Sequence, residues 1–301
     1  MDNNHPLVSI IIVTYNAEST VIETLESAFG QSYDNVEIIL SDDCSSDNTV
    51  KVVQSWLEQD HSEPRFSVKL LEAESNQGVC RNFNKAINNS SGVYIKIIAG
   101  DDKLLPSCCA DFVNYINEHP SANFVASYAK VYSETFDEKN CVSSSHQSIV
   151  PSFFTESADV QLRKMAYSIF VSAPTMFFSR KVFDLVGGFD VRYPYEDHPF
   201  YINILEHGEK IHFLPKDTVA YRVHASTYNS DLKLFNYEFS RASKQFREEK
   251  CYKYYGIRQK IAVKSYYAFL SFLEMFNLNK KTKWLYPIYK VINGIIWKFG
   301  K

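Results

Sequence analysis

The segment LVSIIIVTYNAESTVIETLESAF, Leu7 to Phe29, decides the fold class. Its first half is a β-branched run, broken only by Ser9, of the kind that suits a strand buried on both faces. Thr20 followed three residues later by Glu23 reads as a capping box that opens a helix running to about Phe29. NVEIILSDD, Asn35 to Asp43, repeats the strand, and SDNTVKVVQSWLEQ behind it is an amphipathic helix that Ser46 or Asp47 can cap. SVKLLE from Ser67, a helix around Asn82 to Ile87, and GVYIKIIA from Gly92 continue the alternation. Strands alternating with helices predict an α/β, Rossmann-like fold with a mostly parallel central sheet flanked by helices and right-handed crossovers.

Ligands of such sheets bind outside the carboxyl ends of the strands. Those ends carry Thr14, Tyr15 and Asn16, then Asp42 and Asp43, then Asp101 and Asp102. Two adjacent carboxylates repel each other unless a cation neutralises them, and hard oxygen ligands suit Mg²⁺ or Mn²⁺ shared with substrate phosphates. Taken alone, Asp101 and Asp102 read more readily as exposed turn or helix-capping acids than as metal ligands. A carboxylate after the second strand can accept the N3 hydrogen of a uracil, and a tyrosine on the neighbouring strand end can stack on the base. Together these residues describe a cleft for a nucleotide diphosphate.

Downstream, a helix from Ser107 to Glu118 and a strand from Asn123 to Tyr132 lead into a polar loop, Ser133 to Ser152. APTMFFSRKVFDLVGGFD, from Ala173, reads as a short strand, a helix begun at Ser179 and a Gly-Gly stop. Glu196 and Asp197 open another helix that Gly208 ends, and KIHFLP and TVAYRVHAST then read as two strands. The remaining sequence is helical and basic.

Composition bounds the rest. The chain has 301 residues and a net charge of −3, yet Arg258 to Lys301 holds nine Lys/Arg against one acid, Glu274. No run approaches the roughly 18 apolar residues of a membrane span, and MDNNHPLVSI lacks the basic start and apolar core of a signal peptide, so a cytoplasmic protein is expected. The six cysteines have no metal-ligand spacing and read as reduced thiols. No nucleic-acid partner is expected, and an oligomer is compatible with the composition.

Seven motifs in order, VSIIIVTYN, SDDCSSDNT, NQGVCRNFNKAI, AGDD, RKVFDLVGGFD, YEDHPF and YRVHASTYNS, make the chain resemble the family 2 glycosyltransferases of GT-A fold over roughly residues 6–230. The resemblance implies transfer of a sugar, with inversion, from a nucleotide diphosphate to a glycan or lipid-linked acceptor, in a bacterial surface polysaccharide or O-antigen setting. It implies that Thr14, Tyr15, Asn16, Asp42, Asp43, Asn76, Arg81, Gly100 and Asp101 line the donor site, with Tyr15 against the base and Asp43 reading uracil. It implies Asp197 as catalytic base beside Glu196. Metal binding falls to Asp101, with Asp102 as the alternative, and His224 matches a histidine that approaches the diphosphate or metal in some members. Ala99 departs from the family's Asp-X-Asp pattern, where many members carry the first acid.

The first strand is followed by TYNAEST rather than G-x-G-x-x-G, which excludes a dinucleotide oxidoreductase. A glycoside hydrolase would use two carboxylates but no base-binding rim. A catalytically silent sugar-nucleotide-binding or scaffold protein is the remaining alternative, made conceivable by Ala99. The expected organisation is a catalytic domain over 1–230 and a basic, aromatic-rich helical extension over 231–301. In that extension Ile288, Val291, Ile292, Ile295, Ile296 and Phe299 fall on one predicted helical face, with Trp284, Tyr286, Tyr289 and Trp297 as headgroup-level rings for peripheral membrane contact.

Overall fold

The structure is a computed structural model that describes residues 5–59, 66–144, 150–223 and 233–300. Strands β1 (Val8–Thr14), β2 (Val36–Asp42), β3 (Ser67–Glu72) and β4 (Tyr94–Ala99) alternate with helices α1 (Val21–Phe29), α2 (Thr49–Leu57) and α3 (Val79–Asn88). Then come β5 (Lys103–Leu104), α4 (Cys108–Glu118), β6 (Phe124–Ser133), β7 (Cys141–Ser144), α5 (Pro151–Thr155), α6 (Ala158–Tyr167), β8 (Phe177–Ser179), α7 (Arg180–Val186), α8 (Asp197–Glu206) and β9 (His212–Val223). Helices α9 (Tyr237–Phe246), α10 (Ile257–Met275) and α11 (Leu285–Gly300) follow.

Among the described residues nine strands form one mixed sheet in the order β3-β2-β1-β4-β8-β6-β9-β5, with β7 paired to β6. The parallel arrangement predicted from the alternation holds for β3, β2, β1 and β4. The other half is antiparallel, because β8 runs against both β4 and β6, and β5 against β9. All seven residues of β1 are buried, as expected for a central strand with both faces covered, whereas β3 at the sheet edge alternates. On one face Phe177 stacks on Phe112 of α4 at 4.6 Å. On the other, Phe178, Phe189 and Phe200 form an aromatic cluster, with the Phe189 and Phe200 rings 4.6 Å apart. That cluster anchors α8 to the sheet.

Three local expectations change. Thr20 does precede α1, but no side chain caps the helix; Thr20 and Glu23 are engaged elsewhere, as described below. The segment 133–152 is not one loop, since β7 pairs back on β6 and α5 begins at Pro151; residues 145–149 lie outside the described residues. HFLP of KIHFLP and TVAYRV of TVAYRVHAST fall in the single strand β9, which begins at His212. Ser179 does cap α7, its hydroxyl accepting the Val182 N–H, and Gly187 ends that helix in the left-handed region at φ 75°.

The chain divides into two compact units, one of Met1–Gln161 with Phe170–Arg222, the other of Leu162–Ile169 with Val223–Lys301. The boundary expected at 230 falls within 224–232, which lie outside the described residues. The second unit is built around Arg247. Its buried guanidinium donates to Ala166 O, Tyr167 O and the Tyr255 hydroxyl, and lies 5.3 Å from the Trp297 ring. The side chain of Asn279 closes the same unit by pairing with the backbone of Leu234 and Phe235.

Candidate active site

Strand register brings the predicted rim together. Thr14 stands opposite Asp42 and Val13 opposite Ala99, so the carboxyl ends of β2, β1 and β4 finish level. Gly100 lets β4 close on β1, because a Cβ there would meet Thr14 Cγ2 at 2.5 Å. Thr14 and Asp42 are themselves buried and shape the rim from beneath. Asp42 accepts from the Thr14 hydroxyl at 2.9 Å and from Ser45 N at 2.7 Å. Asn16 adopts the left-handed region at φ 52°, and its side-chain oxygen accepts Ser46 N–H at 2.8 Å. Tyr15 lies 52% exposed between these two pinned residues.

Asp43 is buried, and its two oxygens accept the N–H groups of Gln77 at 2.9 Å and Gly78 at 2.8 Å. The same carboxylate that was expected to read a base therefore also fastens the Asn76–Gly78 turn, with one lone pair left on each oxygen. Gly78, at φ 89°, enters α3, and Arg81 sits exposed in that helix's first turn.

The Asp101–Asp102 pair splits into two roles. Asp102 is 2% exposed, and its Oδ1 accepts Arg222 N–H at 2.8 Å. Burial and the neighbouring Asp101 push its carboxyl well above the usual range. Asp101 is the more accessible of the two. Their turn is held on every side. The Thr20 hydroxyl donates to Gly100 O at 2.7 Å, the Thr24 hydroxyl to Asp102 O at 2.6 Å, and Arg222 Nε to Asp101 O at 2.8 Å. Arg222 also pairs with Glu23, donates to Glu134 O, and lies 4.1 Å from the Phe136 ring. Thr20, Glu23, Thr24 and Arg222 are positioning residues that the sequence reading missed. For Thr20, Glu23 and Thr24 the signal was the i, i+3, i+4 polar face at the start of α1, and Arg222 lay within YRVHASTYNS.

The second carboxylate pair opens α8. Asn84 of α3 holds the preceding segment, its amide accepting Phe189 N–H at 2.9 Å and donating to Phe189 O at 2.9 Å. Gly188, at φ 80°, fits there because a Cβ would lie 2.8 Å from Asn84 Oδ1. Burial, and then the charge of Asp197, push the Glu196 carboxyl up to about 7. Burial raises Asp197 as well, and its Oδ1 accepts His198 N–H at 2.6 Å. The buried Tyr201 hydroxyl beside this pair has no hydrogen-bond partner among the described residues, and burial with the two acids raises it further.

Both pairs lie within electrostatic reach of one tyrosine. Tyr221 of β9, whose hydroxyl is pushed up to about 12, is raised by burial first and then by Asp102, Asp101, Glu196 and Asp197. Cys80 of α3, whose thiol is likewise pushed up to about 12, is within electrostatic reach of Glu196, Asp197 and Arg81. The structure thus gathers Tyr15, Asp43, Arg81, Asp101, Glu196 and Asp197 within the first unit, while His224 lies outside the described residues.

A divalent ion can be tested against this donor set. Among the described residues no three His, Cys, Asp or Glu side chains come together to hold a metal. Asp102 is committed to the Arg222 N–H, and Ala99 offers no ligand. One accessible carboxylate, Asp101, fits an ion that completes its shell with donor phosphates rather than a protein cage.

The profile described as Glycosyl transferase family 2 matches residues 9–186. An uncharacterized glycosyltransferase of Haemophilus influenzae is 26% identical over 298 residues, covering 95% of this chain and 85% of its own length. UDP-Glc:alpha-D-GlcNAc-diphosphoundecaprenol beta-1,3-glucosyltransferase WfaP of Escherichia coli is 24% identical over 75% of this chain and 80% of its own. The crystal structure of S. aureus TarS 1-349 in complex with UDP-GlcNAc superposes with a TM-score of 0.57 at 20% identity, over 79% of this chain and 65% of that one. That likeness is one of fold, and the fold is GT-A, as the sequence resemblance implied.

Proposed function

The chain belongs to glycosyl transferase family 2, and from that premise we propose that it moves a sugar, with inversion, from a UDP-sugar to a glycan or lipid-linked hydroxyl in surface polysaccharide synthesis, with O-antigen the favoured setting. The observation that carries the reading is the convergence of two carboxylate pairs, one after β4 and one opening α8, around Tyr221. Direct displacement at an anomeric carbon needs a proton taken from the acceptor on one face and negative charge stabilised on the other. Asp197 is the base. Burial holds its carboxyl above the ordinary range, which favours uptake of a proton, and the His198 N–H fixes one oxygen. Glu196, also raised, spares Asp197 a full second charge beside it.

On the other face Tyr15 stacks on the base, Asp43 accepts from it, and Arg81 with the first turn of α3 meets the departing diphosphate. Thr14, Asn16, Asp42, Asn76 and Gly100 complete the donor site, chiefly by holding these groups in place. Asp101, rather than Asp102, would hold Mg²⁺ or Mn²⁺; when bound, such an ion neutralises charge on the diphosphate. A cytoplasmic location is supported by six cysteines that are all free thiols, two of them adjacent.

Turnover is tested by measuring UDP release with UDP-glucose, UDP-GlcNAc and further UDP-sugars, with and without Mn²⁺. Asp197→Asn is expected to keep UDP affinity and lose transfer by roughly 10²–10⁴. Transfer within about tenfold of the unsubstituted protein would move the base elsewhere. No UDP release from any donor, with UDP binding intact, would favour a silent binding protein.

A further inference from the structure

Helices α10 and α11 carry apolar side chains on two faces. The inward face of α11 is Leu285, Tyr289, Ile292, Ile296 and Trp297, all half-buried. Tyr289 stacks near Phe235 and Phe269, at 6.4 and 6.1 Å, and Trp297 packs against Tyr167 and Tyr266, at 5.1 and 5.3 Å. The single face expected from the sequence is therefore divided, with Ile292 and Ile296 turned inward and Tyr289 and Trp297 used for packing rather than for a headgroup belt. What remains outside is a second stripe, Trp284, Ile288, Val291, Ile295 and Phe299, at the i, i+4, i+7, i+11, i+15 spacing of one helical face. Trp284 is 86% exposed and Ile295 64%. On α10, Ile257, Ile261, Phe272 and Met275 are exposed.

Exposed helix faces are ordinarily polar, so the continuous apolar stripe along α11 marks an interaction surface. The charge around it selects the partner. Lys280, Lys281, Lys283, Lys290 and Lys298 are all exposed, and Glu274, the one acid between residues 258 and 301, is paired with Arg241. A second copy seated on this face would bring lysines against lysines, whereas an anionic lipid surface complements them.

We propose that the outward stripe of α11 lies on the surface of an anionic bilayer, with Trp284 and the flanking lysines at the headgroup level. No described helix is long and apolar enough to cross a membrane, and sixteen residues of α11 reach about 24 Å at 1.5 Å per residue, short of the hydrocarbon core. Helix α11 therefore lies along the interface, apolar stripe inward and ammonium groups among the phosphates.

The test uses the full chain and vesicles of phosphatidylcholine with or without phosphatidylglycerol. Expected are sedimentation with the anionic vesicles that weakens with salt, and quenching of tryptophan fluorescence by brominated lipid that Trp284→Phe abolishes. Ile288→Glu with Ile295→Glu, at exposed positions, is expected to lower the partition coefficient at least tenfold while leaving UDP affinity and the thermal midpoint unchanged. Substituting Lys280, Lys281 and Lys283 by glutamine is expected to remove the lipid-charge dependence. Equal binding of the glutamate variant, no binding to anionic vesicles at low salt, or a dimer that the glutamate variant dissolves without any vesicle binding would overturn the proposal. Vesicle binding is read without turnover, so it stands or falls separately from the transferase reading.

Discussion

Replacing Arg222 by methionine removes one cation that fastens three segments to the Asp101–Asp102 turn. The backbone N–H that bonds Asp102 survives the change, so the loss is confined to the guanidinium. Three contributions disappear. The ion pair with Glu23 is worth at most about 1 kcal/mol, because the Glu23 side chain is 41% exposed and solvent screens it. The carbonyls of Asp101 and Glu134 regain water, one being half-buried and the other exposed, so each forfeits about 1 kcal/mol. The contact with the Phe136 ring adds about 0.5–1 kcal/mol. The expected destabilisation is thus about 3–4 kcal/mol, with most of it outside the ion pair. Urea unfolding followed through Trp56, in a background where Trp284 and Trp297 are phenylalanine, reports the first unit by itself. Arg222→Lys is expected to restore less than half, since a single ammonium cannot reach all three partners. Glu23→Gln added to Arg222→Met is expected to cost less than about 0.5 kcal/mol more. A loss under about 1 kcal/mol, or one carried wholly by Glu23, would refute the view that Arg222 organises the turn.

The Glu196 carboxyl, raised to about 7 by burial and Asp197, binds its proton more tightly in the native than in the unfolded chain. Its contribution is therefore present at acid pH and lost as pH rises through about 7, so Glu196→Gln should gain stability relative to the unsubstituted protein between pH 5 and pH 8. A pH-independent difference in thermal midpoint would contradict this. Gly100→Ala places a methyl 2.5 Å from Thr14 Cγ2 and is expected to cost about 1–3 kcal/mol and weaken UDP binding in calorimetry. Undiminished UDP affinity would mean that the rim tolerates separation of β1 and β4. Asn84→Ala removes both bonds to Phe189 and is expected to cost about 2 kcal/mol and lower transfer while sparing UDP affinity, because it loosens the approach to Asp197 and not the donor rim. Equal losses of UDP affinity and transfer would argue against that division.

The local sequence determined the strand–helix alternation and the polar clusters at the carboxyl ends of β1, β2 and β4. β-branched runs ending in short polar clusters make the strands and their carboxyl-end turns from neighbours in the chain, and the level ends of β1, β2 and β4 follow once those strands pair in parallel. Membership of the glycosyl transferase family was legible for the same reason, as ordered motifs at strand ends and helix starts.

Tertiary structure decided what lay beyond that range. Lys96, the charged residue within YIKII, is fully buried with its amine donating to Pro174 O and Met176 O. Thr20 and Glu23, a capping pair by spacing, turn instead to Gly100 O and to Arg222, which lies 199 residues from Glu23. Asn84 reaches across 105 residues to set the segment before Glu196, and β9 brings Tyr221 and Arg222 back to the Asp101–Asp102 turn. Nor did periodicity reveal that Ile292 and Ile296 part from Ile288 and Ile295 on α11. A helical or strand period records which side chains share a face; which partner that face meets depends on segments outside the stretch the period samples, and a buried polar group takes the hydrogen bond that packing supplies.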